Sequence, residues 1–417
     1  MISEDLAGHA PLLSDVRVID LTRVLAGPYC TQILGDLGAD IIKIEDPRGG
    51  DEVRDIPPFY PGEQSHYFLA LNRNKRSVAV NLKSVEGRQF ILDLVRGSDV
   101  VVENFRPGVL DRLGLGLHDL REVKPDIILC SISGYGADGP LANFPAFDLV
   151  VQARSGIMSI NGESDSPPSR LGLPVADLGA GLWATIAILA ALQKRGSTQK
   201  RGSTGEGQHL DISMLDGAIA LQSYLSQMAL LTGDSPPRLG SDHHNVVPYG
   251  RFKVRDGYLV IAVLVGQFWA RFCDAVGRPD LTDDPRFATN AVRCENREAL
   301  REILDEVLCS KTRHEWQEIF TRADVPHAPV LDITEALTQD QVTARNLIRT
   351  VQHPTAGAVQ MVGSPVRVNG ASPSGMRPAP RLGEHSRTVA MELLGMTGPE
   401  IDVLIERGVI SEAGLVE

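Results

Sequence analysis

RVIDLTRVLAGPYCTQILGDLGADIIKIE, residues 17–45, decides the fold. With the preceding valine, VRVID (16–20) is a short β-branched run suited to a strand, and LTRVLAGP follows as a loop. YCTQILGDLGA spaces its apolar residues as a helix does and exits through Gly38; ADIIKIE is the next strand. The same rhythm recurs in SVAVNL (77–82), a helix over 84–96, DVVVEN (99–104), a helix near 108–122 and DIILCSIS (126–133). Short apolar strands alternating with amphipathic helices predict an α/β domain, a parallel sheet with helices on both faces. Such sheets bind ligands at the loops beyond the C-terminal ends of their strands. LTR, ENFRP and ISGYGADGP occupy that position.

Further along, a helix is expected over 178–193. It is followed by KRGSTQKRGST, a tandem pair read as an elongated, flexible surface turn. HLDISMLDGAIALQSYLSQMALL (209–231) is a strand running into a long helix. GDSPPRLGSDHHNVVPYG (233–250) is rich in Gly, Pro and Asp, which places a domain boundary near 232–245. RFKVRDGYLVIAVL (251–264) reads as a hairpin turning at Asp256-Gly257, and helical patterns cover 266–277, 295–309 and 312–322. From about 336 the pattern is irregular, Pro-rich over 364–380, and it closes with a helix, GPEIDVLIERG (398–408). The expected organisation is a large domain over 1–230, a small one over 231–335, and a segment over 336–417 that returns to the large domain or packs on a partner subunit.

A chain of 417 residues with 23% charged side chains has room for two or three cores. Its net charge of -12 argues against general nucleic-acid binding. The five cysteines (30, 130, 273, 294 and 309) form no CxxC pair, which fits a reducing, cytoplasmic setting. The N-terminus lacks the basic start and apolar stretch of a signal peptide. The longest apolar run, about fifteen residues, falls short of the roughly twenty a membrane span needs, so it reads as a buried helix. No metal-ligand spacing, GxGxxG, P-loop, GxSxG or HExxH occurs.

That apolar run lies in LGLPVADLGAGLWATIAILAALQ (171–193), whose single charge is Asp177. One role for Asp177 is a helix N-cap. Its neighbours Pro174, Val175, Ala176 and Leu178 predict dehydration, and burial raises a carboxylate's pKa while a helix N-terminus lowers it. If the helix wins, Asp177 is anionic, poorly hydrated and rigidly held, as a carboxylate nucleophile needs to be. Gly179 and Gly181 would then let a substrate approach the backbone. Arg23, Lys75, Arg76, Lys83, Arg106 and Arg112 fall in or beside expected loops; each alone is surface charge, and together they suit a phosphorylated ligand. His243 and His244 read as part of a solvated polar loop.

At this point the sequence resembles the family III coenzyme A transferases, together with the related formyl-CoA transferases, carnitine-CoA transferases and acyl-CoA racemases. The resemblance runs through residues 17–45, NRNKRSVAVNLK (72–83), VVENFRPGVLDRLGL (101–115), SISGYGADGP (131–140), FDLVVQARSG (147–156), the Asp177 stretch, STGEGQHLDISMLDG (203–217), VPYGRFKVRDG (247–257) and LGEHS (382–386). It is nearest to the branch moving coenzyme A between dicarboxylic acids such as succinate and hydroxymethylglutarate. It implies a large doubly wound, Rossmann-like domain, a smaller α+β domain and an interlocked homodimer. It implies that Asp177 is the catalytic residue, forming an aspartyl anhydride and then an aspartyl-CoA thioester, with acyl-CoA as substrate and no metal, nucleic-acid or membrane partner. By motif position, Val24, Leu25, Val80, Lys83, Asn104, Phe105 and Arg112 contact coenzyme A. Backbone amides at the helix start or in the 240–245 loop would stabilise oxyanions.

Three departures matter. Asp46 stands where the formyl-CoA branch has an arginine, so Arg48 or Arg23 would have to hold that phosphate. GSDHHN (240–245) replaces a glycine-rich flap. Phe147-Asp148 replaces the His-Asp of the racemases, and phenylalanine moves no proton, which disfavours the alternative of an acyl-CoA racemase or isomerase. A non-catalytic coenzyme A-binding protein is the third possibility. Asp148 is expected to orient its neighbours or to form a structural salt bridge, and Arg154 is a candidate partner for a second carboxylate.

Overall fold

A computed structural model describes residues 11–414 except 61, 63, 201–204, 206 and 372–374. The chain divides into two compact units. Met1–Ser155, Leu171–Ser223 and Thr343–Glu417 make the first, and Gly156–Arg170 with Tyr224–Val342 make the second.

The first unit is built on a sheet of seven strands: β1 (Arg17–Asp20), β2 (Asp40–Glu45), β3 (Lys75–Val80), β4 (Val100–Glu103), β5 (Ile128–Ser133), β6 (His209–Ser213) and β7 (Ile410–Ser411). Their order is β7-β3-β2-β1-β4-β5-β6, and all pairings are parallel except that of β7 with β3. The order reverses between β1 and β4, which opens a crevice at their C-terminal ends, where open α/β sheets bind ligands.

Alternation along the strands sends side chains to opposite faces. Ile19, Ile42, Ile44, Val78 and Val101 form one core with Phe90, Ile91 and Leu94 of helix Val85–Arg96 and with Val389 and Ile401 of the C-terminal helices Ser386–Leu394 and Gly398–Glu406. Helix Ala26–Asp36 packs against the long helix Val175–Lys200, which also lies against β5 and β6. Gly181 permits that contact, since a Cβ there would meet the Ala26 carbonyl oxygen at 2.7 Å; a Cβ at Gly179 would strike Leu221. Gly181 therefore serves helix packing, while at Gly179 the neighbour is only the end of the Leu221 side chain.

The 175–200 helix starts earlier and ends later than its apolar run. It carries the first KRGST copy as helix rather than turn, while most of the second lies outside the described residues. Its stretch Val175–Gly196 is long and apolar enough to cross a membrane. It is not fully buried: Leu182, Trp183 and Ile186 are exposed.

In the second unit, Tyr249–Val254 and Gly257–Ala262 pair antiparallel across a turn at residues 255–256, one position before the expected turn, and His327–Pro329 adds a third strand. Helices Gly266–Ala275, Arg297–Leu308 and Arg313–Arg322 pack Trp269, Phe272, Leu304, Trp316 and Phe320 against them. The stretch read as irregular holds a hairpin, Ile348–His353 with Gly357–Val362.

Candidate active site

Asp177 sits in the first turn of the 175–200 helix, but it is not the cap. The helix begins two residues earlier, and the cap comes from elsewhere: Asp148 Oδ1 accepts from the amides of Ala176 (2.8 Å) and Asp177 (3.4 Å). Asp148 Oδ2 is held by Gln152 Nε2 at 2.6 Å. Gln152, fully buried, also donates to the Leu173 carbonyl and accepts from the Leu171 amide, which fixes the segment entering the helix. The Leu178 amide bonds to the Pro174 carbonyl. The amides at the helix start are thus engaged within the protein, and the expectation that they would stabilise an oxyanion is corrected.

Burial, and then the Asp148 charge, push the Asp177 carboxyl up to about 7. The competition between burial and the helix N-terminus therefore goes to burial, because another carboxylate has taken the helix amides. Tyr67, on helix His66–Leu71, lies close to both acids. Burial and the charges of Asp177, Asp148 and Asp51 raise its phenol to about 12. Nothing in its local sequence singled Tyr67 out.

Asp51 links this region to the loop after β1. Its Oδ1 accepts from the Val24 amide (3.1 Å), and its Oδ2 accepts from the buried Lys43 Nζ (2.9 Å), which also donates to the Thr22 carbonyl. Val24 adopts φ +68°, a left-handed conformation that a β-branched residue rarely takes. Asn104 grips the residue before it: Oδ1 accepts from the Arg23 amide (2.8 Å) and Nδ2 donates to the Arg23 carbonyl (2.7 Å). The Arg23 guanidinium stacks 5.0 Å from the Phe105 ring and pairs with Glu52. Arg23, Val24, Asn104 and Phe105 are thus brought together in the crevice between β1 and β4.

Leu25 is buried at the start of helix Ala26–Asp36, and the Val80 side chain is in the core at the end of β3, so both would meet a ligand only through backbone. Lys83 is exposed just beyond β3 and Arg112 at the end of the short helix Val109–Arg112, and neither has an ion pair among the described residues. Arg48 is bound through its fork to Asp46, which it holds at about 2.

Two of the basic residues assigned to loops are elsewhere. Lys75 is buried in β3, 3.1 Å from Asp20, and Arg76 pairs with Asp40 and Glu392. Lys75 shares one face with Ser77 and Ala79, and Arg76 the other with Val78 and Val80, so the strand context of β3 was the available signal. Phe147 is exposed beside the capping Asp148, and Arg154 lies over the Tyr135 ring. In the second unit, His243 is half-buried: its ring stacks on Tyr224 and lies tilted against Tyr249.

The chain belongs to CoA-transferase family III, whose model matches residues 13–386. It is 38% identical over 400 residues to the succinyl-CoA:glutarate CoA-transferase of Mus musculus, covering 96% of this chain and 90% of that protein. It is 41% identical over 377 residues to the acetyl-CoA:oxalate CoA-transferase of Acetobacter aceti, covering 90% and 94%. The crystal structure of a CAIB/BAIF family protein from Brucella suis matches with a TM-score of 0.80 at 35% identity, covering 93% of this chain and 100% of that one. The protein is therefore an enzyme, a CoA-transferase.

Proposed function

We propose that this transferase moves coenzyme A from the thioester of one dicarboxylic acid to another free dicarboxylic acid, with Asp177 as nucleophile. The acids are inferred from the relatives, whose names give succinyl-CoA with glutarate in one and acetyl-CoA with oxalate in the other. The observation that carries the chemistry is the Asp177 carboxyl, set in the first turn of a long helix and held basic by burial and Asp148.

A carboxylate so placed attacks the thioester carbonyl. The C–S bond breaks, giving an acyl-aspartyl anhydride and the thiolate of coenzyme A. The thiolate attacks the aspartyl carbonyl, expels the donor acid as its carboxylate and leaves an aspartyl-CoA thioester. The acceptor carboxylate then displaces the thiolate to form a second anhydride. Return of the thiolate to the acceptor carbonyl yields the new thioester and restores Asp177. One thioester replaces another, so the exchange needs no net energy input.

The doubly wound, Rossmann-like reading of the sheet puts the pantetheine arm in the crevice between β1 and β4, which the strand order supports. Exposed Lys83 and Arg112, with Arg23, take the phosphates; Phe105 lines the arm; the backbones of Val24, Leu25 and Val80 complete the contact. Asn104 acts through Arg23, because both its amide atoms are already used there. An interlocked homodimer would cover the apolar Leu182, Trp183 and Ile186, and the buried free thiols of Cys30, Cys130 and Cys273 suit the cytoplasm. Incubating the enzyme with succinyl-CoA and isotopically labelled glutarate or oxalate should yield labelled acyl-CoA with release of succinate. Failure with every dicarboxylate, while a monocarboxylic acid serves, would refute the substrate assignment.

A further inference from the structure

An aspartate in the first turn of a helix ordinarily benefits from free amides and the positive end of the helix dipole, and both make its carboxylate a weaker base. Here those amides point at Asp148, which comes from helix Asp148–Ser155. Asp148 cannot drift away, because Gln152 holds its second oxygen and is itself tied to Leu171 and Leu173.

We propose that Asp148 is a positioning residue that tunes the nucleophile: by taking the amides of Ala176 and Asp177 and placing a second carboxylate beside the first, it withholds the helix N-terminus from Asp177 and keeps that carboxylate basic. The proposal rests on the assignment of Asp177 as nucleophile. A more basic carboxylate attacks a thioester more readily, at the cost of keeping its proton up to a higher pH.

The titratable groups around Asp177 are few. Asp148 faces it from its own helix and Tyr67 from helix His66–Leu71. Helix Ala26–Asp36 brings Tyr29 against Gly181 and Cys30 against Thr185, further along the 175–200 helix; Asp216 of helix Met214–Leu221 is exposed. Burial and Asp148 both push Asp177 upward, to about 7, and among the described residues no basic side chain opposes them.

Transfer should therefore fall on the acid side with a midpoint near 7. Asp148→Asn keeps an oxygen for the Ala176 amide but removes the charge. Its acid limb should move down by at least about one pH unit, tenfold in proton affinity. An unchanged midpoint in a variant that melts like the wild type would overturn the proposal.

Should Asp148→Asn fail to fold, the wild-type carboxyl can be titrated directly by carbon NMR of aspartate-labelled enzyme, assigned by loss of the signal in Asp177→Asn. A midpoint near 7 that falls in Gln152→Ala, which frees Asp148 from its hold, supports the proposal, and one below about 5, within the ordinary carboxylate range, or one that stays near 7 in that variant, contradicts it. The NMR titration needs no turnover, so it can fail while Asp177→Ala remains inactive. Conversely, an active Asp177→Ala enzyme would remove the nucleophile whatever the titration shows.

Discussion

Asp20, fully buried, and Asp177, half-buried, are carboxylates of the same unit, and they are treated in opposite ways. Burial pushes Asp20 upward, yet Lys75, Lys43 and the hydroxyls of Thr22 and Thr31 overcome it and hold the group at about 2. At Asp177 burial and Asp148 push the same way and the group rises to about 7. Asp20 lies among side chains that alternate along β1, β2 and β3 onto one face of the sheet, where Lys43, Lys75 and Asp51 complete a buried network. That network fixes Thr22 and Val24 and so shapes the loop at the crevice. A compensated acid builds the site, and an uncompensated one is left to react.

Breaking the reactive acid should have the largest effect. Asp177→Ala should lower transfer by about three orders of magnitude or more while leaving coenzyme A binding intact, read by steady-state assay and calorimetry. Breaking the structural acid should cost the fold instead. Lys75→Met leaves Asp20 buried without its nearest cation and should destabilise the protein by about 3–5 kcal/mol in denaturant titrations.

The loop clamp sharpens the contrast further. Asn104→Ala frees the Arg23 backbone and should raise the KM for acyl-CoA about tenfold, with a smaller change in the KM for the acceptor acid and in kcat. Comparable rises for both substrates would show that the clamp does more than hold the coenzyme A loop.

The last effect is one of stability. Unfolded, Asp177 titrates near 3.8; folded, it keeps its proton up to about 7. Above that pH the folded state bears a buried charge, and as pH falls through 7 it takes the proton and is relieved. Asp177→Asn, neutral throughout, should therefore be more stable than wild type by up to about 4 kcal/mol at pH 8, with the advantage shrinking toward pH 5. An advantage that grows as pH falls would reverse the assignment of a raised carboxyl.

Much of the fold was legible because its signals are local. The β-branched runs at 17–20 and 100–103 and the helical spacing of 26–36 depend on nearest neighbours in sequence. Asp177 was legible too, as the only charge in an apolar stretch. What governs it was not. Asp148 lies 29 residues away, and Tyr67 lies on a helix whose sequence shows no relation to Asp177. Lys75 and Arg76 looked like loop cations because two charges rarely open a buried strand; Asp20 and Asp40, distant in sequence, make that possible. Gly181 invited a substrate until the Ala26 backbone was found against it. Cross-strand ion pairs and helix contacts are long-range, and periodicity carries no record of them.

The central claim is that Asp177 itself carries the acyl group and then coenzyme A. Quenching the enzyme with hydroxylamine during turnover, followed by peptide mass spectrometry, tests it most directly. The account predicts a hydroxamate on Asp177 that appears only when acyl-CoA is present. Steady turnover with an unmodified Asp177 peptide, or a hydroxamate on another residue, would contradict it.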